Sequence, residues 1–506
     1  MKHICKTLFL LALAALFCVL PLASCIPGKG ERFDGYEDTP IDPNAAEDTY
    51  DWARAQVPTV NYEGRDFRIL VCKSVSQFDT QNGDLARNVV AKELLDIPIN
   101  DAVFNRNMDL QTQLGITIRA TEKPFRKVAD ELRSSILTQD DRYDICFTRL
   151  DDLTPLASEG LLVNLWDMDL DLSKPWWDQN SIEELTIQDE LFFAVSDGDI
   201  VDKQTTMACM FNKTLMEEQK IDPATVYAMV DGGTWTIDAM LDIAKNVRKD
   251  KNGDGLYNSE DVWPILSEYD SATCFYYAFG GCVTDKNASD EPRLRLGDPD
   301  VRSAVDAALD LMRDDEMVFK VEQMGGDWVR ASDMFINNQA MVRITNLTTT
   351  ERWRNMEADF GVLPMPKLNE DQSEYVHLCK NGATGVCVPN TNTDLDFTAI
   401  CLEAFVSFSR YTLREAYFES TMQGMVSRDP DTPRMLDLIF TTRAFDLGYI
   451  FDFGASGAGK LDGIGYLLKK IAANSSMQID SQWDSIKDKA QSQIDDMLVK
   501  LEASRS

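Results

Sequence analysis

The sequence predicts an α/β protein made of two lobes, each built on its own sheet. The chain has 506 residues, which is too long for one ordinary hydrophobic core. Its first ordered part, residues 66–148, alternates apolar strands with amphipathic helices in the order βαβαβ. A new strand-to-helix pattern begins near residue 205, and we place the start of the second lobe there.

The composition excludes several classes of partner. With 44% hydrophobic residues and nine Trp, the chain is globular rather than disordered. Its 84 acidic and 50 basic residues give a net charge of −34, which repels the phosphates of nucleic acids and of anionic membranes. We interpret the acidity as a solvated surface and expect no nucleic-acid partner.

The N-terminus indicates export. Lys2 and Lys6 form a basic region before an apolar stretch, residues 8–20, that is too short to span a membrane comfortably. The following Leu-Ala-Ser-Cys, which ends at Cys25, resembles the lipobox of bacterial lipoproteins. This resemblance implies a signal peptide over residues 1–24 and lipidation of Cys25, which would anchor the protein at the extracytoplasmic face of the cell membrane. The alternative is an ordinary secretory signal with an incidental Cys.

The elements of the first lobe follow a segment without periodicity. Residues 25–62 are rich in Asp, Glu, Pro and Gly, which predicts a flexible tether. Apolar runs at 66–71, 116–118 and 143–148 predict strands, and helical spacing at 99–114 and 125–137 predicts the helices between them. This order indicates a parallel sheet with right-handed crossovers.

The stretch 205–261 holds three consecutive signals. An apolar strand over 207–211 ends in Asn-Lys and leads to a helix over 214–219. The turn residues Gly232 and Gly233 then precede an amphipathic helix, for which Thr234 or Thr236 is the N-cap. The third signal is a loop of the calcium-binding type. Further helices are predicted at 301–313, 396–410 and 413–423.

Several motifs together resemble a known family. They are the FNK turn before a helix headed by Thr-Trp, the helix and strand ASDMFINNQAMVRI, and the segment FGVLPMPK. In this order they resemble the family 1 extracellular solute-binding proteins, which are sugar-binding lipoproteins of bacterial ABC importers. The resemblance implies a periplasmic-binding-protein-like clamshell of class II type, in which a hinge of several strands joins two α/β lobes.

The resemblance also implies domain boundaries. The first lobe takes residues 63–204 and a return over 331–380. The second lobe takes residues 205–330 and a return over 381–506, which includes the C-terminal helices.

The loop DKNGDGLYNSED has the spacing of an EF-hand calcium loop. Gly255 stands at the sixth position of the loop, where the chain must turn sharply. Oxygen ligands would come from six other positions, namely Asp250, Asn252, Asp254, Leu256 through its carbonyl, Asn258 and Asp261. No second loop follows, so we expect a structural Ca²⁺ rather than a switch. The competing interpretation is a metal-free turn rich in Asp, Asn and Gly.

Catalysis receives little support. His3 leaves with the predicted signal peptide, so a Ser-His-Asp triad would have to use His377, and neither GxSxG nor HExxH accompanies it. Residues 454–460 match the phosphate-binding pattern GxxxxGK, but Leu461 stands where Ser or Thr would meet Mg²⁺. We therefore predict that the protein is not an enzyme, and we interpret residues 454–460 as a surface loop.

A sugar site needs aromatic rings for the C–H faces and polar side chains for the hydroxyls, placed at the carboxyl ends of strands. On this basis the candidate ligand-binding residues are Phe78, Asp79, Arg149, Asp151, Trp176, Trp177, Tyr269, Asp270, Asn346, Arg352 and Thr384.

Eight cysteines lie beyond the export region, and no CxxC pair occurs among them. We expect mostly free, buried thiols, although Cys274 with Cys282 or Cys379 with Cys387 could form disulfides.

The predicted function is that of a monomeric, lipid-anchored substrate-binding protein, which captures a carbohydrate between its lobes and delivers it to the transmembrane subunits of an ABC permease. Three alternatives stay open. They are a binder of a peptide, polyol or other small solute with the same fold, a surface glycan-degrading enzyme, and a glycan-adhesion lipoprotein without a transporter.

Overall fold

The computed structural model describes residues 48–73, 85–124, 126–353, 356–425, 429–457 and 460–504. The predicted signal peptide, the lipidation residue Cys25 and most of the predicted tether lie outside these residues. So do the candidate ligand residues Phe78 and Asp79. No helix in the described ranges is long and apolar enough to cross a membrane.

The first sheet has four strands. They are β1 (Arg65–Cys72), β2 (Ile116–Lys123), β3 (Ile145–Arg149) and β12 (Thr384–Cys387), in the spatial order β12-β3-β1-β2. β1 runs parallel to β2 and β3, whereas β12 runs antiparallel to β3. The parallel part is the βαβαβ unit that the sequence predicts.

Within the described residues, seven helices precede the second sheet. They are α1 (Tyr50–Gln56), α2 (Ala86–Val89), α3 (Pro98–Leu114), α4 (Val128–Thr138), α5 (Leu150–Ser158), α6 (Gln179–Leu185) and α7 (Val201–Thr205). The local sequence sets their ends. Pro98 begins α3 because its fixed φ suits the first turn, and Gly115 ends it with a φ of +63°, which glycine adopts without a steric penalty.

The second sheet has five strands. They are β4 (Met207–Asn212), β5 (Trp263–Ser267), β8 (Val318–Lys320), β9 (Ala340–Asn346) and β10 (Phe360–Leu363), in the order β10-β4-β9-β5-β8. β5 runs parallel to β8 and β9, and β4 runs antiparallel to β9 and β10. A separate hairpin is formed by β6 (Thr284–Lys286) and β7 (Pro292–Leu294).

Six helices belong to the same part of the chain. They are α8 (Lys213–Glu218), α9 (Ala224–Asp231), α10 (Ile237–Ala244), α11 (Ser271–Ala278), α12 (Arg302–Arg313) and α13 (Trp328–Ile336). The side chain of Asn212 caps α8 by accepting the N–H of Leu215 at 3.0 Å. Of the two predicted N-caps of α10, the structure uses Thr236, whose hydroxyl accepts the N–H of Ala239 at 3.3 Å.

The C-terminal part returns to both sheets. It contains β11 (His377–Leu378), β13 (Arg443–Ala444), α14 (Leu395–Ser409), α15 (Glu415–Met425), α16 (Thr432–Thr441), α17 (Leu447–Phe451), α18 (Leu467–Ala472) and α19 (Ile479–Ser504). A π-helical turn, Arg410–Arg414, joins α14 to α15. Both of these helices pack against α3, whereas α16 packs against β10.

The predicted return boundaries differ from the structure. β9 and β10, which we expected in the first lobe, pair with β4 and β5 in the second sheet. β12 and α14, which we expected in the second lobe, pair with β3 and pack on α3. The reason is that β9 is buried at six of its seven residues, so it suits the middle of either sheet, and its apolar pattern does not say which.

The predicted tether also ends earlier than expected. Helix α1 lies inside it, capped by Thr49, whose side chain accepts the N–H of Trp52 at 3.2 Å. Ala53 and Val57 are buried, α1 packs against α14, and the ring of Tyr62 lies edge-on to Phe397 at 4.8 Å. Ala53, Val57 and Tyr62 therefore dock this acidic segment onto the fold.

The thiols follow the sequence prediction. All eight cysteines of the described ranges are free, and seven are buried. Cys387 lies directly opposite Cys146 in the antiparallel pair of β12 and β3. Burial raises the pKa of the Cys146 thiol well above its usual value, which suits an inert core residue.

Candidate functional site

The carboxyl ends of the strands in both sheets carry clusters of polar residues. In the second sheet, β5 leads into Glu268, Tyr269 and Asp270, and β8 leads into Glu322. In the first sheet, β3 ends at Arg149 and leads through Leu150 to Asp151 at the start of α5. In open α/β sheets, ligands bind at these strand ends.

One segment, residues 379–384, passes between the two clusters. The ammonium of Lys380 forms an ion pair with the carboxylate of Asp270. The neighbouring Asn381 accepts the N–H of Asp151 with its backbone carbonyl at 3.2 Å and the hydroxyl of Tyr466 with Oδ1 at 2.9 Å. The segment therefore contacts the strand ends of both sheets within two consecutive residues.

Asp270 is a buried carboxylate held in its charged form. Burial alone would raise its pKa, but the ammonium groups of Lys380 and Lys469 outweigh this effect and lower the pKa below its usual value. Lys469 Nζ lies 3.8 Å from Oδ1, an oxygen that has no hydrogen-bond partner in the described residues. This buried oxygen therefore has unused hydrogen-bonding capacity.

The cluster of the first sheet is also paired. Arg149 binds both oxygens of Asp151 at 2.9 Å, and Arg126 spans Asp151 and Asp152 at 2.8 and 2.7 Å. Burial and the charge of Asp151 raise the pKa of Asp152 despite the two arginines. A carbon added at Gly382 would lie 2.9 Å from Nη1 of Arg149, so the passing segment comes close to this guanidinium.

The second sheet adds aromatic surface. Trp328, at the start of α13, is 45% exposed and donates its indole N–H to Glu268 at 3.1 Å. The backbone N–H of Tyr269 lies 3.2 Å from both carboxylate oxygens of Glu322, whose pKa burial raises. Tyr269 and Trp328 thus lie beside two carboxylates, a combination that suits a sugar ring with its hydroxyls.

A pocket of about 260 Å³ lies next to the passing segment, between α5 and α19. Asp151, Asn381, Asp452 and Gln493 contribute polar groups to its wall. The side-chain nitrogen of Asn381 is buried without a hydrogen-bond partner among the described residues, and burial raises the pKa of Asp452 to about 7. The pocket therefore has unused hydrogen-bonding capacity beside the strand ends.

The structure brings together only some of the predicted ligand residues. Arg149, Asp151, Tyr269 and Asp270 lie at the strand ends, and Asn346 ends β9 half-buried. Thr384 is fully buried, and its hydroxyl donates to Asp199. Arg352 is exposed in the 3₁₀ segment Leu347–Trp353.

Trp176 and Trp177 lie elsewhere. Each is 1% exposed, and their indole N–H groups donate to Glu403 of α14 at 2.7 and 3.3 Å. Sequence reasoning missed Trp328, Glu268, Glu322 and Lys380. The signal for Trp328 was its place two residues after the Gly-Gly turn that ends the 3₁₀ segment Val321–Met324.

The calcium-type loop adopts the backbone that its glycines allow. Gly253 and Gly255 have φ values of +77° and +78°. The carboxylate of Asp250 accepts their two N–H groups at 2.6 and 2.8 Å, and that of Asp261 accepts the N–H groups of Lys251 and Asn258 at 2.9 Å. Over the described part of the chain, no group of three or more His, Cys, Asp or Glu is arranged to hold a metal ion. The order of oxygen donors fits Ca²⁺, while the carboxylates bind the loop's own backbone.

His377 has a structural environment. Its ring is fully buried, with Nε2 accepting the N–H of Met365 at 3.0 Å and Nδ1 lying 2.8 Å from the hydroxyl of Thr442. Burial lowers its pKa to about 3, so the ring stays neutral at physiological pH.

Several solved structures with a similar fold are binding proteins. A cyclo/maltodextrin-binding protein in complex with maltotetraose has a TM-score of 0.56 and 13% identity, with 86% of this chain and 98% of that chain covered. The fold is that of the ABC substrate-binding proteins. This confirms the predicted two-sheet α/β clamshell, and with it the resemblance at the level of the fold.

Two further substrate-binding proteins align over similar lengths. MalE from Bdellovibrio bacteriovorus, bound to maltotriose, has a TM-score of 0.51 and 14% identity over 85% of this chain and 99% of that chain. Lmo0181 from Listeria monocytogenes, in complex with cycloalternan, has a TM-score of 0.51 and 13% identity over 87% and 99%. No family model and no curated protein matches the sequence.

Proposed function

We propose that this protein is a substrate-binding protein of an ABC importer and that its ligand is a carbohydrate. The observation that carries the proposal is the passing segment, because Lys380 and Asn381 contact the strand ends of both sheets. A ligand that bridges the two clusters would stabilise the arrangement in which they are close. Maltotetraose, maltotriose, cycloalternan and α-D-tagatose are the ligands named for solved structures with this fold.

The sugar-binding face would be formed by residues at both sets of strand ends. Tyr269 and Trp328 would stack on the C–H faces of the sugar. Asp270, through its unbonded Oδ1, and Asn381, through its unbonded amide nitrogen, would bind hydroxyl groups. Nothing in this arrangement requires a reaction, so the sugar would leave unchanged.

Thermal unfolding against a panel of mono- and oligosaccharides tests the proposal. A ligand that binds only the folded state raises the midpoint as its concentration rises. One class of sugar should do so and be recovered intact. If no sugar shifts the midpoint, or if the sugar is recovered cleaved, the proposal fails, and the small-solute, enzyme and adhesion alternatives take its place.

The stacking role of Trp328 has a matched control in Trp166. The two side chains are 45% and 47% exposed, but Trp166 lies in the 3₁₀ segment Leu165–Asp167, away from the strand ends. Trp328→Ala should weaken sugar binding about tenfold or more, since an aromatic platform contributes roughly 1 kcal/mol beyond the area it buries. Trp166→Ala should leave the affinity unchanged, and equal losses in both variants would contradict the assignment.

We also propose that the loop over residues 250–261 binds a structural Ca²⁺. Asp250, Asn252, Asp254, Asn258 and Asp261, with the carbonyl of Leu256, would supply the hard oxygen ligands that this ion prefers. Added Ca²⁺ should raise the unfolding midpoint over that measured in chelator, and Asp254→Ala should abolish the rise. Asp242→Ala on the surface of α10 is the control, and a rise that survives Asp254→Ala would rule out this site.

Finally, we propose that Cys25 carries a lipid that holds the protein at the outer face of the cell membrane, next to its permease. Support comes from the sequence alone, in the Leu-Ala-Ser-Cys motif after the apolar stretch. Mass spectrometry of the mature N-terminus should find an acylated Cys25, and Cys25→Ser should release the protein from the membrane fraction. An unmodified N-terminus at another residue would contradict the anchor.

A further inference from the structure

A second pocket lies at the edge of the second sheet, away from the strand ends described above. It has a volume of about 330 Å³ and is lined by Arg248, Tyr257, Asn258, Trp263, Phe319 and Gln323, among others. Trp263 is the first residue of β5, so it lies at the opposite end of that strand from Glu268, and Phe319 lies on the edge strand β8. The volume is within the range of small-molecule sites, about 300–1,000 Å³.

Arg248 dominates the chemistry of this pocket. Its guanidinium lies over the ring of Tyr257 at 4.0 Å and over that of Trp263 at 5.2 Å. It makes no hydrogen bond to any residue in the described ranges, and its Nε is buried without a partner. Its nearest carboxylate is that of Glu316, which is 3.9 Å from Nη1 and 87% exposed. A guanidinium has five N–H donors, so this one has unused capacity for an acceptor.

The other polar groups of the wall leave that capacity open. The carboxylate of Asp315 is paired with the ammonium of Lys320 at 2.5 Å and so does not neutralise Arg248. Asn258 and Gln323 bring neutral amides to the wall, and Tyr257 is 43% exposed, which leaves ring surface for a ligand. In a chain with a net charge of −34, Arg248 gives this pocket a cationic group whose ion pair with the exposed Glu316 is long, at 3.9 Å.

We propose that this pocket is a second ligand site, separate from the strand-end cluster, and that it binds a sugar bearing a carboxylate, such as a hexuronate. The planar guanidinium of Arg248 would pair with the carboxylate through two parallel N–H···O bonds. Tyr257 would stack on the C–H face of the ring, and the amide of Gln323 would bind hydroxyl groups. A neutral sugar would lack the group that Arg248 needs.

Glucuronate and glucose are the matched probes, because they differ only in the carboxylate at C6. In isothermal titration calorimetry at low salt, glucuronate should bind at least tenfold more tightly than glucose, and added salt should weaken it. Arg248→Gln should weaken glucuronate binding about tenfold to a hundredfold, as expected for a lost charge-assisted bond. Arg293→Gln, on strand β7 of the β6–β7 hairpin, should leave the affinity for glucuronate unchanged. Equal affinity in Arg248→Gln and the unaltered protein overturns the proposal, as does the absence of glucuronate binding.

Two variants separate this site from the strand-end cluster. Trp328→Ala should keep glucuronate binding while it loses binding of the neutral sugar found in the thermal panel. If Trp328→Ala loses glucuronate as well, the acid binds at the strand ends and the second site is refuted. Tyr257→Leu, which leaves the charge in place, should weaken glucuronate severalfold and serves as the test if Arg248→Gln does not fold. An unchanged affinity in Tyr257→Leu then counts against the pocket.

Discussion

At the scale of single residues, buried charge is the most sensitive feature of this protein. Arg443 is 5% exposed and forms ion pairs with Asp178 and Asp202, the second at 2.7 Å. Removing one partner of a buried ion pair leaves an uncompensated charge, which costs about 3–5 kcal/mol. Arg443→Met should therefore lower the free energy of unfolding in urea by about that amount.

Arg293 provides the control for this prediction. It also binds an aspartate, Asp285, but its side chain is 50% exposed. Solvent-exposed pairs contribute about 0–1 kcal/mol, so Arg293→Met should change the free energy of unfolding by less than 1 kcal/mol. A similar loss in both variants would mean that the burial of Arg443 has no special effect.

Glu403 gives a pH dependence of stability. Burial raises its pKa to about 7 from 4.5, although two indole N–H groups partly oppose the shift. Below pH 4.5 this carboxyl is protonated in both the folded and the unfolded protein, so it costs no stability. As the pH rises from 4.5 towards 7, it ionises more readily in the unfolded protein, and the free energy of unfolding falls. The cost approaches about 3 kcal/mol above pH 7, at roughly 1.4 kcal/mol per pKa unit.

The variant Glu403→Gln isolates this effect. Glu184, Asp199 and Asp452 also have pKa values raised to about 7, so the unaltered protein should lose stability between pH 5 and pH 8 for several reasons. The loss in Glu403→Gln should be smaller by about 2–3 kcal/mol, as measured by urea unfolding at the two pH values. Equal losses would show that Glu403 ionises freely in the folded protein.

At the scale of elements, α1 tests how firmly the segment before β1 is docked. Ala53 is fully buried against α14, whereas Gln56 in the same helix is exposed. Ala53→Asp buries an unpaired carboxylate and should destabilise the protein by about 3 kcal/mol or more, while Gln56→Asp should cost less than about 0.5 kcal/mol. Similar melting temperatures in the two variants would mean that α1 does not contribute to the fold.

The same scale shows what the sequence could predict. Helix α3 was predictable because its helical spacing ends at Gly115, and α8 because Asn212 precedes a new helical pattern. The sheet membership of β9 was not, because a strand buried on both faces has the same apolar pattern in either sheet. Local sequence also could not separate Trp176, which packs in the core, from Trp328, which lies exposed at a strand end.

At the scale of the whole molecule, the chain passes repeatedly between its two sheets. It leaves the first sheet after β3, returns to it with β12, and then packs α16 against β10 of the second sheet. Neither half is made of one continuous piece of chain, so we expect the two to unfold together. Calorimetry of the ligand-free protein should give one transition, with equal calorimetric and van't Hoff enthalpies. Two resolved transitions would show that the halves fold separately.

The position of the thiols has a practical consequence for handling the protein. Cys146 and Cys387 face each other across two strands, yet both sulfurs are sealed from solvent, as are Cys72, Cys209, Cys274, Cys379 and Cys401. Oxidants and alkylating reagents in the buffer reach such groups only when the fold opens. The rate at which these seven thiols react with a labelling reagent therefore measures how often the core opens. For the same reason, the protein can be purified in air without a reductant to protect them.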